Sequence, residues 1–88
     1  LTSYRAGEAF LAQNNLQSAA NAFRAALNAD RHPSWTVVWS HIRLAAVYAR
    51  TGERDRMDQE LLAAQATGDD TNGAQSIVNA LLPVNLRG

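Results

Sequence analysis

The sequence predicts an all-α fold of about five antiparallel helices arranged as helix-turn-helix repeats. Helix-forming residues dominate it, and no stretch shows the β-branched alternation that is typical of a strand. The two prolines, Pro33 and Pro83, both stand where a helix is expected to stop or start. Turn signals then divide the chain into helices at about residues 2–13, 16–29, 34–50, 54–67 and 73–82.

The first two predicted helices are separated by Asn14-Asn15, where an asparagine can supply the left-handed residue of a tight turn. In the second helix, Ala19, Phe23 and Ala26 are four and three residues apart. Residues at this spacing share one helix face, so these three side chains are predicted to face the same neighbour.

The break around Pro33 separates the second helix from the third, and Ser34 is expected to cap the third helix. Apolar residues cover several sides of this helix: Trp35, Val37, Val38, Ile42, Leu44, Ala45, Tyr48 and Ala49. A helix of this kind is predicted to lie between neighbours rather than at the surface. Gly52 then ends it.

The fourth helix has one narrow apolar stripe, Met57, Leu61 and Ala64, and is charged elsewhere. Its charge run is expected to be a solvated face, with Arg56 and Glu60 as a weak surface pair.

A polar loop follows the fourth helix, and Asp70 or Thr71 is expected to cap the fifth. The fifth helix carries one apolar face and is predicted to cover the end of the stack; that face comprises Ala74, Ile77, Val78, Leu81 and Leu82.

Composition excludes several classes of function. The 88 residues suit one small domain or part of a larger one, and without cysteine there is neither a disulfide nor a thiolate site. Eight acidic residues balance eight basic ones, which argues against binding to nucleic acid or to an anionic membrane through bulk charge. No apolar run approaches the roughly 20 residues of a membrane span, so no membrane insertion is expected.

The start at Leu1 rather than at methionine predicts a processed product or a fragment, here expected to be the C-terminal part of a longer protein. The compartment, cytoplasmic or periplasmic, therefore stays open. All eight basic residues are arginine, which together with the abundant alanine favours a bacterial source.

No catalytic constellation is present, and we expect no enzyme activity, no cofactor and no metal site. His32 is expected to be an exposed loop residue and His41 a packing or interface residue. Ser40 and His41 are adjacent on a helix and therefore point about 100° apart, too far for a nucleophile and its base. The segment "DDTNG" lacks the closing glutamate of a calcium loop.

An internal repeat appears at an offset of 38 residues, obtained by aligning residues 6–27 with residues 44–65. Residues of similar size then occupy equivalent positions: Gly7 and Ala45, Phe10 and Tyr48, Phe23 and Leu61, and Ala26 and Ala64. Ala19 is equivalent to Met57, which is larger. Leu44 coincides with Ala6 in the same alignment.

This pattern resembles the tetratricopeptide repeat (TPR), whose signature W-x₂-L-G-x₂-Y is followed by A-x₃-F and a proline. The resemblance implies one domain, residues 1–88, with repeats at about 1–33 and 34–68, a capping helix at about 73–82 and a tail at 83–88. The aligned residues, with Leu44, would pack the helices together, and the small Gly7 and Ala19 would let the first two cross closely. The offset exceeds the 34 residues of the family, and Ser3 and His41 replace its tryptophan.

The resemblance also implies a concave groove lined by the first helix of each repeat. Its residues here would be Tyr4, Arg5, Glu8, Leu11 and Ala12 from the first helix, and Trp39, Arg43, Ala46 and Arg50 from the third. Arg5 and Arg43 are equivalent in the repeat and would grip a carboxylate bidentately. The alternative is solubilising surface charge.

Family members that bind chaperone tails use a Lys/Asn/Arg clamp, which this lysine-free chain is not expected to form. Trp35 and Trp39 are candidate partner contacts, and the alternative is that both pack against the second helix and the break that precedes them.

The resemblance predicts a protein-interaction module that holds a peptide or a partner domain without catalysis. The alternative is an accessory or oligomerisation domain that docks onto the rest of a larger bacterial enzyme or secretion or envelope protein, or onto a second copy. The two hypotheses differ in whether an apolar face stays bare in the isolated chain.

Overall fold

A computed structural model describes residues 2–87, and these form five α-helices and two short 3₁₀ turns without any β-strand. The α-helices are α1 (Thr2–Ala12), α2 (Leu16–Ala29), α3 (Trp35–Thr51), α4 (Arg54–Thr67) and α5 (Ala74–Leu81). The 3₁₀ turns are Thr71–Gly73 and Val84–Leu86. The all-α prediction is therefore confirmed, and no predicted helix end is more than one residue from its observed position. Leu1 and Gly88, the ends of the predicted first repeat and tail, lie outside the described residues.

Two of the three predictions for the turns around α1, α2 and α3 are confirmed, those at Asn14 and Gly52. Asn14 has φ 58° and Gly52 has φ 80°, so both adopt the predicted left-handed conformation. The Ser34 prediction is wrong, because its backbone is already helical and its side chain makes no capping hydrogen bond. Instead, Thr36 Oγ1 donates to the carbonyls of Asp30 and Pro33, which ties the start of α3 to the end of α2.

The predicted Asp70 bonds to the start of α5, although Gly73 is the residue at the N-cap position. Asp70 Oδ1 accepts the backbone N–H of Gln75 at 2.9 Å, within the first turn of α5. This bond satisfies one of the amide groups that a helix start leaves without an intrahelical partner.

The helices pack as two hairpins, α1–α2 and α3–α4, stacked through α2 and α3. Within the first hairpin, a Cβ atom built on Gly7 would lie 2.6 Å from Phe23 Cε1. Such a contact is sterically forbidden, so only glycine permits this approach of α1 to the fully buried Phe23 ring. The molecule measures 33 × 29 × 18 Å along its principal axes. The shortest of these dimensions is about two helix diameters.

The predicted packing residues lie in the core. All of them are buried except Phe10, which is half-buried: Gly7, Ala19, Phe23, Ala26, Leu44, Ala45, Tyr48, Met57, Leu61 and Ala64. Helix α3 contacts every other helix, as its predicted apolar sides require.

Helix α5 covers the end of the stack with only part of its apolar face. Ala74, Val78 and Leu82 are buried, whereas Ile77 and Leu81 are 37% and 51% exposed. The apolar face of α5 is therefore wider than its contact with α3 and α4.

Candidate functional site

Two adjoining open depressions form a continuous groove along α1 and α3, here called the α1/α3 groove. The first, about 340 Å³, is lined by Tyr4, Arg5, Glu8, Trp35, Trp39, Arg43 and Asn72. The second, about 250 Å³, is lined by Glu8, Leu11, Ala12, Arg43 and Arg50. Because Glu8 and Arg43 line both depressions, one extended ligand can occupy them together.

The residues that the repeat pattern assigned to a groove are brought together on this face, with two differences. Ala46 lines neither depression. Tyr4 lines the first depression but is only 2% exposed, so it forms the floor rather than a contact at the rim. The other assigned residues come from α1 and α3 and line the groove, where Leu11, at 9% exposure, also belongs to the floor.

The polar contacts of the groove centre on the carboxylate of Glu8. Arg5 Nη1 lies 2.7 Å from Glu8 Oε1, and Arg43 Nη2 lies 3.7 Å from Glu8 Oε2. The third guanidinium, that of Arg50, donates to the carbonyl of Leu11 at 3.2 Å and has no carboxylate within 4.0 Å among residues 2–87. The groove thus holds three cations and one anion, which favours a ligand with negative charge.

Aromatic rings position two of these cations. The guanidinium carbon of Arg5 lies 5.8 Å from the ring centroid of Trp35, and that of Arg43 lies 5.4 Å from the ring of Trp39. Guanidinium groups stack favourably on such faces, which restricts their orientation before any ligand arrives. The Nε of Arg43 is buried and has no hydrogen-bond partner among residues 2–87, so only the terminal nitrogens of this guanidinium face the groove.

The loop before α5 supplies a wall of the groove that the sequence did not reveal. Trp39 Nε1 donates to the carbonyl of Thr71 at 3.0 Å, and the left-handed Asn72 lines the first depression. Asp69 fixes this loop by accepting both the hydroxyl and the backbone N–H of Thr71. These two bonds hold the pKa of the Asp69 carboxyl below its ordinary value of 3.8.

The two tryptophans both line the first depression of the α1/α3 groove. Trp35 makes an edge contact with Tyr4 of α1, with ring centroids 5.3 Å apart, and Trp39 reaches the loop at Thr71. Both are half-buried, so each indole packs on the core and also presents a face to the groove.

The two histidines lie in different settings, one between two helices and one at the surface. His41 Nδ1 lies 2.8 Å from Glu60 Oε1, which joins α3 to α4. The predicted pair of Arg56 with Glu60 is wrong, because Arg56 lies 3.6 Å from Glu53 instead. His32 is exposed, and residues 2–87 contain no cluster of three potential metal-ligating side chains.

Comparisons with known proteins give no match: no family model, no curated protein and no solved structure corresponds to this chain. Across residues 2–87, none of the helices combines the length and the hydropathy needed to cross a bilayer.

Proposed function

We propose that this chain is a non-catalytic protein-interaction module of the TPR type, which binds an extended segment of a partner protein in the α1/α3 groove. One observation carries the proposal: Arg5 and Arg43, one from each helix hairpin, both contact Glu8 at the centre of a continuous groove and both stack on tryptophan rings. Pre-positioned guanidinium and indole groups are the side chains that dominate binding energy at protein interfaces.

The groove is suited to a peptide rather than to a compact small molecule. Both depressions are shallow and open, and they run along two helices. Small-molecule sites bury most of their ligand, whereas an extended chain contacts such a surface at successive residues.

A selection from a library of random displayed peptides tests the proposal. Enriched peptides are expected to bind the purified chain saturably and to change its tryptophan fluorescence. Binding is expected to weaken at least about tenfold in Arg43→Gln, because truncation removes a charged hydrogen-bond donor. Arg31→Gln is the matched control, since Arg31 is an exposed arginine that lines neither depression. Peptides that bind both variants equally would contradict the proposal.

The second candidate is a docking or oligomerisation domain, and the exposed apolar residues at the end of the stack favour it. Ile77 and Leu81 lie on one side of α5, and Val84 follows at 78% exposure. Docking through this face predicts that the isolated chain self-associates and that Leu81→Glu restores a monomer in sedimentation equilibrium. A monomeric wild-type chain would contradict self-association through this face.

A further inference from the structure

A second cavity lies on another side of α3, and no residue lines both it and the α1/α3 groove. Its volume is about 260 Å³, and we call it the Tyr48 cavity. Its lining comes from α2, from the end of α3 and from the turn into α4: Leu16, Gln17, Ala20, Arg24, Val47, Tyr48, Thr51, Glu53 and Arg56.

Two guanidinium groups converge on one buried tyrosine in this cavity. The guanidinium carbon of Arg24 lies 5.7 Å from the ring centroid of Tyr48, and that of Arg56 lies 6.0 Å from the same centroid. Arg24 Nη2 also donates to the Tyr48 hydroxyl, which leaves the hydroxyl proton free to donate to a ligand.

Carboxylates neutralise this pair of cations only in part. Arg56 lies 3.6 Å from Glu53, a partly exposed side chain that also accepts the Thr51 hydroxyl at 2.7 Å. Arg24 contacts the neutral Asn21 and Tyr48, and no carboxylate of residues 2–87 lies within 4.0 Å of it. Two arginines and one tyrosine hydroxyl therefore face a cavity that lacks a full complement of negative charge.

The remainder of the lining is mixed, with the polar Gln17 and Thr51 beside three aliphatic residues. Leu16, Ala20 and Val47 provide aliphatic surface beside the arginines. A ligand that matches both the arginines and the aliphatic residues combines a compact oxyanion with an apolar stem.

We propose that the Tyr48 cavity binds a phosphate monoester, with Arg24, Arg56 and the Tyr48 hydroxyl donating to the phosphate oxygens and the aliphatic residues contacting the organic stem. A phosphate monoester carries a charge of about −1.5 to −2 at neutral pH and offers three acceptor oxygens. Two guanidinium groups match this charge, and their planar donor arrays suit phosphate geometry. A carboxylate offers fewer acceptors and less charge, so it is expected to bind more weakly.

The proposal is tested by titrating the chain with phenyl phosphate while recording ¹H–¹⁵N spectra that include the arginine Nε–H signals. Saturable shifts are expected at Arg24 and Arg56, with benzoate and inorganic phosphate each binding several-fold more weakly. Arg24→Gln and Arg56→Gln are each expected to weaken binding about tenfold. Glu53→Gln is expected to strengthen binding, because it removes the competing carboxylate.

Arg54→Gln is the matched control, since Arg54 is a neighbouring exposed arginine that does not line the cavity. Tyr48→Phe keeps the buried ring and removes only the hydroxyl, so it is expected to fold and to lose affinity severalfold. An equal loss of affinity in Arg54→Gln, shifts spread over all arginines, or no saturable binding would overturn the proposal. None of these outcomes depends on the α1/α3 groove, so the two sites are tested separately.

Discussion

Glu8 of α1 and Arg43 of α3 face each other across the groove, with Oε2 and Nη2 3.7 Å apart. The pair joins the first helices of the two hairpins, and Arg5 approaches the other oxygen of the same carboxylate. Glu8 therefore occupies the position where a ligand carboxylate would meet both arginines. It acts on the charge of the groove more than on the stability of the fold, because both members of the pair remain partly exposed.

We expect Glu8→Gln to change the free energy of unfolding by less than about 1 kcal/mol, as is usual for exposed ion pairs. The same variant should bind acidic peptides from the selection more tightly, since Arg5 and Arg43 lose their internal partner. Urea denaturation and peptide titration measure the two effects. Unchanged affinity for acidic peptides would show that Glu8 does not compete with the ligand.

Close packing of Gly7 on Phe23 predicts a specific pair of substitutions. Gly7→Ala places a Cβ 2.6 Å from the Phe23 ring and is expected to destabilise by about 1–2 kcal/mol, because overpacking exceeds the gain of about 1 kcal/mol in helix propensity. In a Phe23→Leu background, which removes the ring, Gly7→Ala should become neutral or stabilising. A thermal-denaturation double-mutant cycle measures the coupling, and additive effects would contradict the contact.

Thr36 and Ser40 provide a matched comparison one turn apart on α3, because both hydroxyls are buried. Thr36 Oγ1 donates to carbonyls at the end of α2, whereas Ser40 Oγ has no hydrogen-bond partner. Thr36→Val should therefore cost about 1–3 kcal/mol, and Ser40→Ala should be neutral or stabilising. Chemical denaturation of the two variants checks the order, and equal losses would contradict the assigned bonds.

Protonation of Asp69 should loosen the wall of the groove. Hydrogen bonds from Thr71 lower the pKa of this carboxyl below 3.8, so its stabilisation is fully present above that pH and is lost as pH falls through the lower folded-state value. In a Trp35→Phe background, Trp39 fluorescence is expected to report the change, because its indole bonds to Thr71. Asp69→Asn should reduce this acid transition, and a transition of unchanged size would contradict the assignment to Asp69.

Much of the architecture was predictable because local signals were strong. Asn14, Gly52 and the prolines mark chain reversals through backbone geometry alone, and the spacing of Ala19 and Phe23 fixes the buried face of α2. The prediction of a Ser34 cap was wrong because serine, although common at helix caps, can also adopt a helical backbone. The hydroxyl of Thr36 makes the hydrogen bonds at this helix start instead.

The sites were less predictable because they depend on contacts between residues far apart in sequence. The 38-residue offset related Arg5 to Arg43, but it could not show that Glu8 contacts both. Nothing local indicates that Thr71 reaches Trp39 across 32 residues, or that Glu60 prefers His41 to the nearby Arg56. Such pairings follow from helix packing and can be read only once the helices are placed.

The most direct test of the central claim is a ¹H–¹⁵N titration of the chain with a peptide from the display selection, following side-chain N–H signals. Binding in the α1/α3 groove predicts saturable shifts at Trp39 Nε1 and Arg43 Nε, with the Arg24 signal unchanged. A selection that yields no binding peptide, or shifts confined to residues outside the α1/α3 groove, would contradict it.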